Sequence, residues 1–123
     1  MQTDRVQMQG ALLRIVGNGA YTLHEVRAAS GTMVRQYVSS TGAVVGVAWQ
    51  GPSMPNLRQL LGAHFDRFQQ AADAARRTRP GHGPLSINLG DLVVQSSGHT
   101  RAFSGQAYLP GHLPQGLRPS AIR

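Results

Sequence analysis

From Leu57 to Ala75 the apolar residues Leu57, Leu60, Leu61, Phe65, Phe68, Ala71, Ala72 and Ala75, with His64 among them, recur at three- and four-residue steps. That spacing draws one stripe down one helix, and the polar residues Arg58, Gln59, Asp66, Arg67, Gln70 and Asp73 fall outside it. A helix apolar on one side has to bury that side against something, and the rest of the chain offers strands. Pro52-Ser53-Met54-Pro55 is expected to open the helix, with Ser53 as its cap, and the helix is expected to run to about Arg77. Arg76 and Arg77 close it, where positive charge suits the helix dipole.

On the N-terminal side, Gly17-Asn18-Gly19-Ala20 lies between two apolar-rich runs, and Asn-Gly supplies the positive φ angles of a two-residue hairpin turn. Strands are predicted at about 11–16 and 20–28, then at 33–38 after a turn at Ser30-Gly31, then over Val44–Trp49 after Thr41-Gly42. Beyond a break at Thr78 to Gly83, Leu85, Ile87 and Leu89 alternate with polar residues as a fifth strand. Leu92 to Ser97 and Thr100 to Leu109 are the sixth and seventh, with turns at Gly90-Asp91 and Gly98-His99. The expected fold is therefore α+β: a curved antiparallel sheet of about seven short strands, four before the helix and three after it, packed on one long amphipathic helix. Residues 1–123 are expected to form a single domain, with irregular segments at 1–9 and 110–123, the latter pinned by Leu113, Leu117 and Ile122.

Setting register from the turns assigns faces, because side chains alternate along a strand. Leu12, Val16, Tyr21, Leu23, Val34, Val38, Val45, Val47 and Trp49 are placed on one buried face. Thr22, His24, Arg35 and Tyr37, with Leu13, Ile15 and Val26, are placed on the other, and Tyr37 is predicted opposite Gly46. Arg14, Glu25 and Arg27 fall on the same side as the apolar set, Arg14 diagonal to Glu25. A half-buried carboxylate between guanidiniums is held ionised, which serves either as a structural clamp at the sheet margin or as part of an anion-binding pocket.

The chain has no cysteine, so disulfides, thiol nucleophiles and cysteine-bound metals are excluded. Its cations are all arginine, 12 against five acids, a net charge of +7. Such a field favours acidic partners, although arginine-rich composition alone also produces it. The absence of lysine removes Schiff-base and phosphate-loop lysine chemistry. His24, His64, His82, His99 and His112 never form a close pair at ligand spacing, so no metal site and no cofactor are expected. Ser96, Ser97, His99 and Asp91 share one hairpin, whereas a nucleophile needs its base from another direction, and no G-x-S-x-G elbow occurs. The densest basic patch is Arg76, Arg77, Arg79 and His82, either a solvated helix end or a contact for nucleic acid.

Two stretches, Val47-Ala48-Trp49-Gln50-Gly51-Pro52-Ser53-Met54-Pro55-Asn56-Leu57-Arg58-Gln59-Leu60-Leu61-Gly62 and Gly90-Asp91-Leu92-Val93-Val94-Gln95-Ser96-Ser97-Gly98-His99-Thr100-Arg101-Ala102-Phe103, carry a family mark. With the strand Tyr21-Thr22-Leu23-His24-Glu25-Val26, they resemble an uncharacterised family of small exported proteins of proteobacteria, including the Burkholderia group, a domain of unknown function. The likeness covers nearly the whole chain and implies export to the periplasm or beyond. No apolar run approaches the roughly 20 residues of a membrane helix, and Met1 to Gln9 lack a signal peptide's apolar stretch, so an exported form is expected to be a processed one. The expected function is non-enzymatic: an envelope or secreted binding module for a protein or acidic surface. The alternative is a binder of nucleic acid or another polyanion. The candidate contacts are Arg14, Glu25, Arg27, Arg76, Arg77, Arg79 and His82.

Overall fold

A computed structural model describes residues 10–17, 20–28, 30–53, 55, 57–78, 84–99, 102–114 and 116–122, with backbone alone described at 10–16, 59 and 99. Strands β1 (Gly10–Gly17), β2 (Tyr21–Ala28), β3 (Met33–Ser39) and β4 (Val44–Gly51) form the expected meander, each antiparallel to the next. Strands β5 (Leu85–Asn88), β6 (Val93–His99) and β7 (Ala102–Tyr108) complete one sheet in the order β1-β2-β3-β4-β7-β6-β5. The long-range step is β4 against β7, which sets Trp49 opposite Gly105 and Ala48 opposite Gln106. β6 continues through His99, paired with Ala102, so Gly98-His99 is strand and not the turn.

The helical segment is α+β's single helical layer, as its stripe requires, but it is not one straight rod. It comprises α1 (Leu57–Leu61), a 3-10 turn over Gly62–His64, and α2 (Phe65–Thr78). Gly62 has φ +57°, a left-handed conformation that interrupts helical hydrogen bonding and that side chains with a Cβ resist. The stripe survives the break: Leu60, Leu61, Phe68 and Ala72 are buried in the core, and Leu57, Phe65, Ala71 and Ala75 pack at its margin. α1 starts four residues after Ser53, so Ser53 is not its cap. Ser53 is instead tied to buried Thr32, whose hydroxyl donates to the Ser53 carbonyl at 2.7 Å and accepts from the Ser53 N–H at 3.2 Å.

The sheet is covered on both faces, which corrects the single buried face expected from the turns. On the helix face, Val34, Val38, Val44, Val47, Trp49, Ile87, Val94 and Ala107 pack against the helix stripe. On the other face, Tyr37, Val45 and Ala48 are buried with Leu117 and Ile122, and Tyr21, Leu23, Tyr108 and Leu113 pack around them. The C-terminal segment thus lies across the sheet opposite the helix, with Leu113, Leu117 and Ile122 as the anchors expected. It carries short 3-10 turns at Pro110–His112 and Pro119–Ala121. Tyr21, Leu23 and Val45 therefore belong with Tyr37, while Val26 pairs with Val34 toward the helix. At Leu12 and Val16 only the backbone is described.

Two local shifts produce this redistribution. β2 and β3 pair Leu23 with Tyr37 and Glu25 with Arg35, one residue away from the expected register, and a one-residue slip turns every side chain over. A bulge in β4 then sets Tyr37 opposite Gly46 but Val38 opposite Val44, leaving Val45 free to face the C-terminal segment. The helix-face layer also contains Gln36, fully buried in register with Val47 and His24, whose two amide atoms have no hydrogen-bond partner among the described residues.

Candidate functional site

The C-terminal segment covers part of the tail-side face, with Leu117 and Ile122 packed in one buried cluster with Ala48. Across the strands of that face run two rows of mainly polar residues. One row passes from Glu25 to Arg35, Ala48, Gln106 and Gln95; the next passes from Arg27 to Met33, Gln50, Ser104 and Ser97. They are held by side-chain bonds across strand pairs: Gln106 Nε2 donates to Gln95 Oε1 at 2.7 Å, and the Ser97 and Ser104 hydroxyls meet at 3.4 Å. Arg35 Nε lies 3.8 Å from Glu25 Oε1, with the arginine side chain 40% exposed and the glutamate 10%.

Ala48 is the smallest side chain in this field, and its longer neighbours leave a shallow cleft around it. The cleft measures about 200 Å³ and is lined by Met33, Arg35, Ala48, Gln50, Ser104 and Gln106, with Trp49 and Gly105 also contributing. Arg27, exposed, is the register partner of Met33 in its wall. Its lining thus combines the apolar Met33 and buried Ala48 with guanidinium charge, amides and a hydroxyl.

Of the charged trio expected near the hairpin, the structure places Arg14 directly opposite Glu25 in register and not diagonal to it, because β1 is bulged between Leu12 and Arg14. At Arg14 only the backbone is described. Glu25 and Arg27 share a face, as expected, but it is the face turned away from the helix. Turn-based alternation puts Arg35 on the face opposite Glu25, whereas the structure makes it the cross-strand neighbour of Glu25. Arg76 and Arg77 are exposed in the last turn of α2, with Arg76 Nη1 3.9 Å from Asp73 Oδ1. The helix covers the other face of the sheet, so these arginines do not join the Glu25 row. Arg79 and His82 lie outside the described residues.

Another cluster escaped the sequence reading because it joins distant segments. Arg67 Nη1 donates to Asp91 Oδ1 at 3.0 Å, and Arg67 Nη2 donates to His64 Nδ1 at 3.0 Å, tying the helix to the β5–β6 turn. The His64 pKa is lowered below 6.5 by burial first and then by nearby positive charge, Arg67 included. The Asp91 carboxyl is held below its ordinary 3.8, chiefly by the hydrogen bond from Arg67. Among the described residues no three His, Asp or Glu side chains gather as a metal site would require. Ser96 and Ser97 point to opposite faces of β6, so the two hydroxyls do not share a site. No helix among the described residues is long and apolar enough to cross a membrane.

Residues 2–122, nearly the whole chain, match the family model described as protein of unknown function DUF2844. No curated protein and no solved structure matches the chain.

Proposed function

The chain belongs to the DUF2844 family of proteins of unknown function, and on that premise we propose that it is a non-enzymatic binding protein of the bacterial envelope or extracellular space. It holds its partner on the tail-side face around Met33, Gln50 and Ser104. The observation that carries this reading is the cleft over Ala48 with its flanking rows of amide, hydroxyl and guanidinium groups. At about 200 Å³ it is smaller than the roughly 300–1,000 Å³ of sites that enclose a small-molecule substrate or cofactor. It suits one inserted side chain of a larger partner. Glu25, the carboxylate of its charged row, lies against Arg35, an arrangement suited to fixing charge in place. Location outside the cytoplasm is supported by the resemblance to small exported proteins.

The test is to immobilise the protein and a Ser104→Tyr variant, which places a ring over the cleft from an exposed position, and compare what each retains from an envelope extract. Components held by the native protein and lost from the variant, with equal unfolding midpoints, support the reading. Identical retention by both proteins overturns it.

A second reading, binding of nucleic acid or another polyanion, is favoured by the exposed Arg76 and Arg77 and by the net charge of +7. It predicts retention on immobilised DNA that falls steeply as salt rises, through counterion release.

A further inference from the structure

We propose that the cleft over Ala48 receives an acidic side chain from a peptide segment of the partner, laid across β4 and β7. The proposal rests on the binding reading above and adds the partner's chemistry. Two guanidiniums stand on this side against one carboxylate: Arg35 lines the cleft, Arg27 is the exposed register partner of Met33 in its wall, and Glu25 lies 3.8 Å from Arg35. Met33, half-buried in the wall, offers an apolar surface suited to the methylenes of a glutamate, while Gln50, Gln106 and Ser104 are of the right kind to bond a carboxylate or neighbouring peptide groups. The amides and hydroxyls continue past the cleft along Gln95 and Ser97, parallel rows over which an extended backbone can lie.

The same face argues against bases or sugar rings as the occupant. Stacking needs exposed aromatic rings, and the tyrosines on this side, Tyr21, Tyr37 and Tyr108, pack against the C-terminal segment. None of them lines the cleft.

The experiment uses the full chain and three labelled probes: an octapeptide alternating glutamate and glycine, its glutamine counterpart, and a single-stranded oligothymidylate. At low salt the glutamate peptide is expected to bind at least about fivefold more tightly than the glutamine peptide, as roughly 1 kcal/mol of charge interaction implies. Arg27→Gln and Gln50→Glu, both at exposed positions, should each weaken it about two- to fivefold, and together about tenfold. The paired change Arg76→Gln with Arg77→Gln, which removes charge elsewhere, should leave it within about twofold. Equal loss from the helix-end pair, equal binding of the two peptides, or tighter binding of the oligothymidylate overturns the proposal. If the peptides fail while Ser104→Tyr still abolishes retention from envelope extract, the acidic chemistry is wrong and the binding surface stands.

Discussion

The hydroxyl of Tyr37 donates to the carbonyl oxygen of Ala121 at 3.0 Å, joining the middle of β3 to the end of the chain across 84 positions. Beside that bond, Ile122 is 1% exposed and rests on Gly46, where a Cβ would stand 2.9 Å from Ile122 Cδ1. The C-terminal segment is therefore part of the core. Tyr37→Phe should cost about 0.5–1.5 kcal/mol, the net worth of one hydrogen bond. Ile122→Ala should cost more, about 2–5 kcal/mol, because it empties a packed site. Urea unfolding measures both, and a neutral Ile122→Ala would mean that the segment does not pack where it is described.

The stripe from Leu57 to Ala75 and the strand-turn rhythm were legible because each is local: periodicity and turn chemistry act over a few residues. The faces were not. A five-residue turn, with Ala28 N–H bonded to Thr32 and Gly31 N–H bonded to Ala28, sets β3 one position from where Ser30-Gly31 alone would put it. The shift brings Glu25 and Arg35, which alternation from Ser30-Gly31 sets on opposite faces, into cross-strand register. A clue was nonetheless present in Val44-Val45-Gly46-Val47-Ala48-Trp49, whose unbroken apolar character is what a strand buried on both faces needs. The cleft had no local signature, since it depends on β4 meeting β7 some fifty residues later and on Ala48 standing between longer side chains.

The break at Gly62 makes a prediction with opposite signs for two architectures. In the continuous helix that the stripe alone implies, Gly62→Ala would stabilise the protein by about 1 kcal/mol. At the observed φ of +57° the added Cβ crowds the backbone, and the substitution should instead cost about 1–2 kcal/mol. Thermal or urea unfolding of the single variant decides between them.

The link from His64 through Arg67 to Asp91 makes stability depend on pH in two separate windows. Because an arginine only donates, His64 accepts through an unprotonated Nδ1, and protonation there forfeits the bond and sets two positive charges together. With its folded pKa below the unfolded 6.5, His64 binds a proton more readily in the unfolded chain. Its contribution to stability is thus present above 6.5 and lost as pH falls from there through the lowered folded value. Asp91 behaves in the same sense further down: its contribution is present above 3.8 and lost as pH falls through its own depressed folded value. The chain has four other histidines, so the comparison must isolate one residue. His64→Gln, which keeps an acceptor for Arg67 but cannot take a proton, should flatten the stability profile just below pH 6.5 while leaving the slope below 3.8 in place. Asp91→Asn should do the converse. Urea unfolding across pH 3 to 8 reads both slopes, and a His64→Gln profile parallel to that of the native protein would show that the Arg67 bond does not discriminate between the two states of the imidazole.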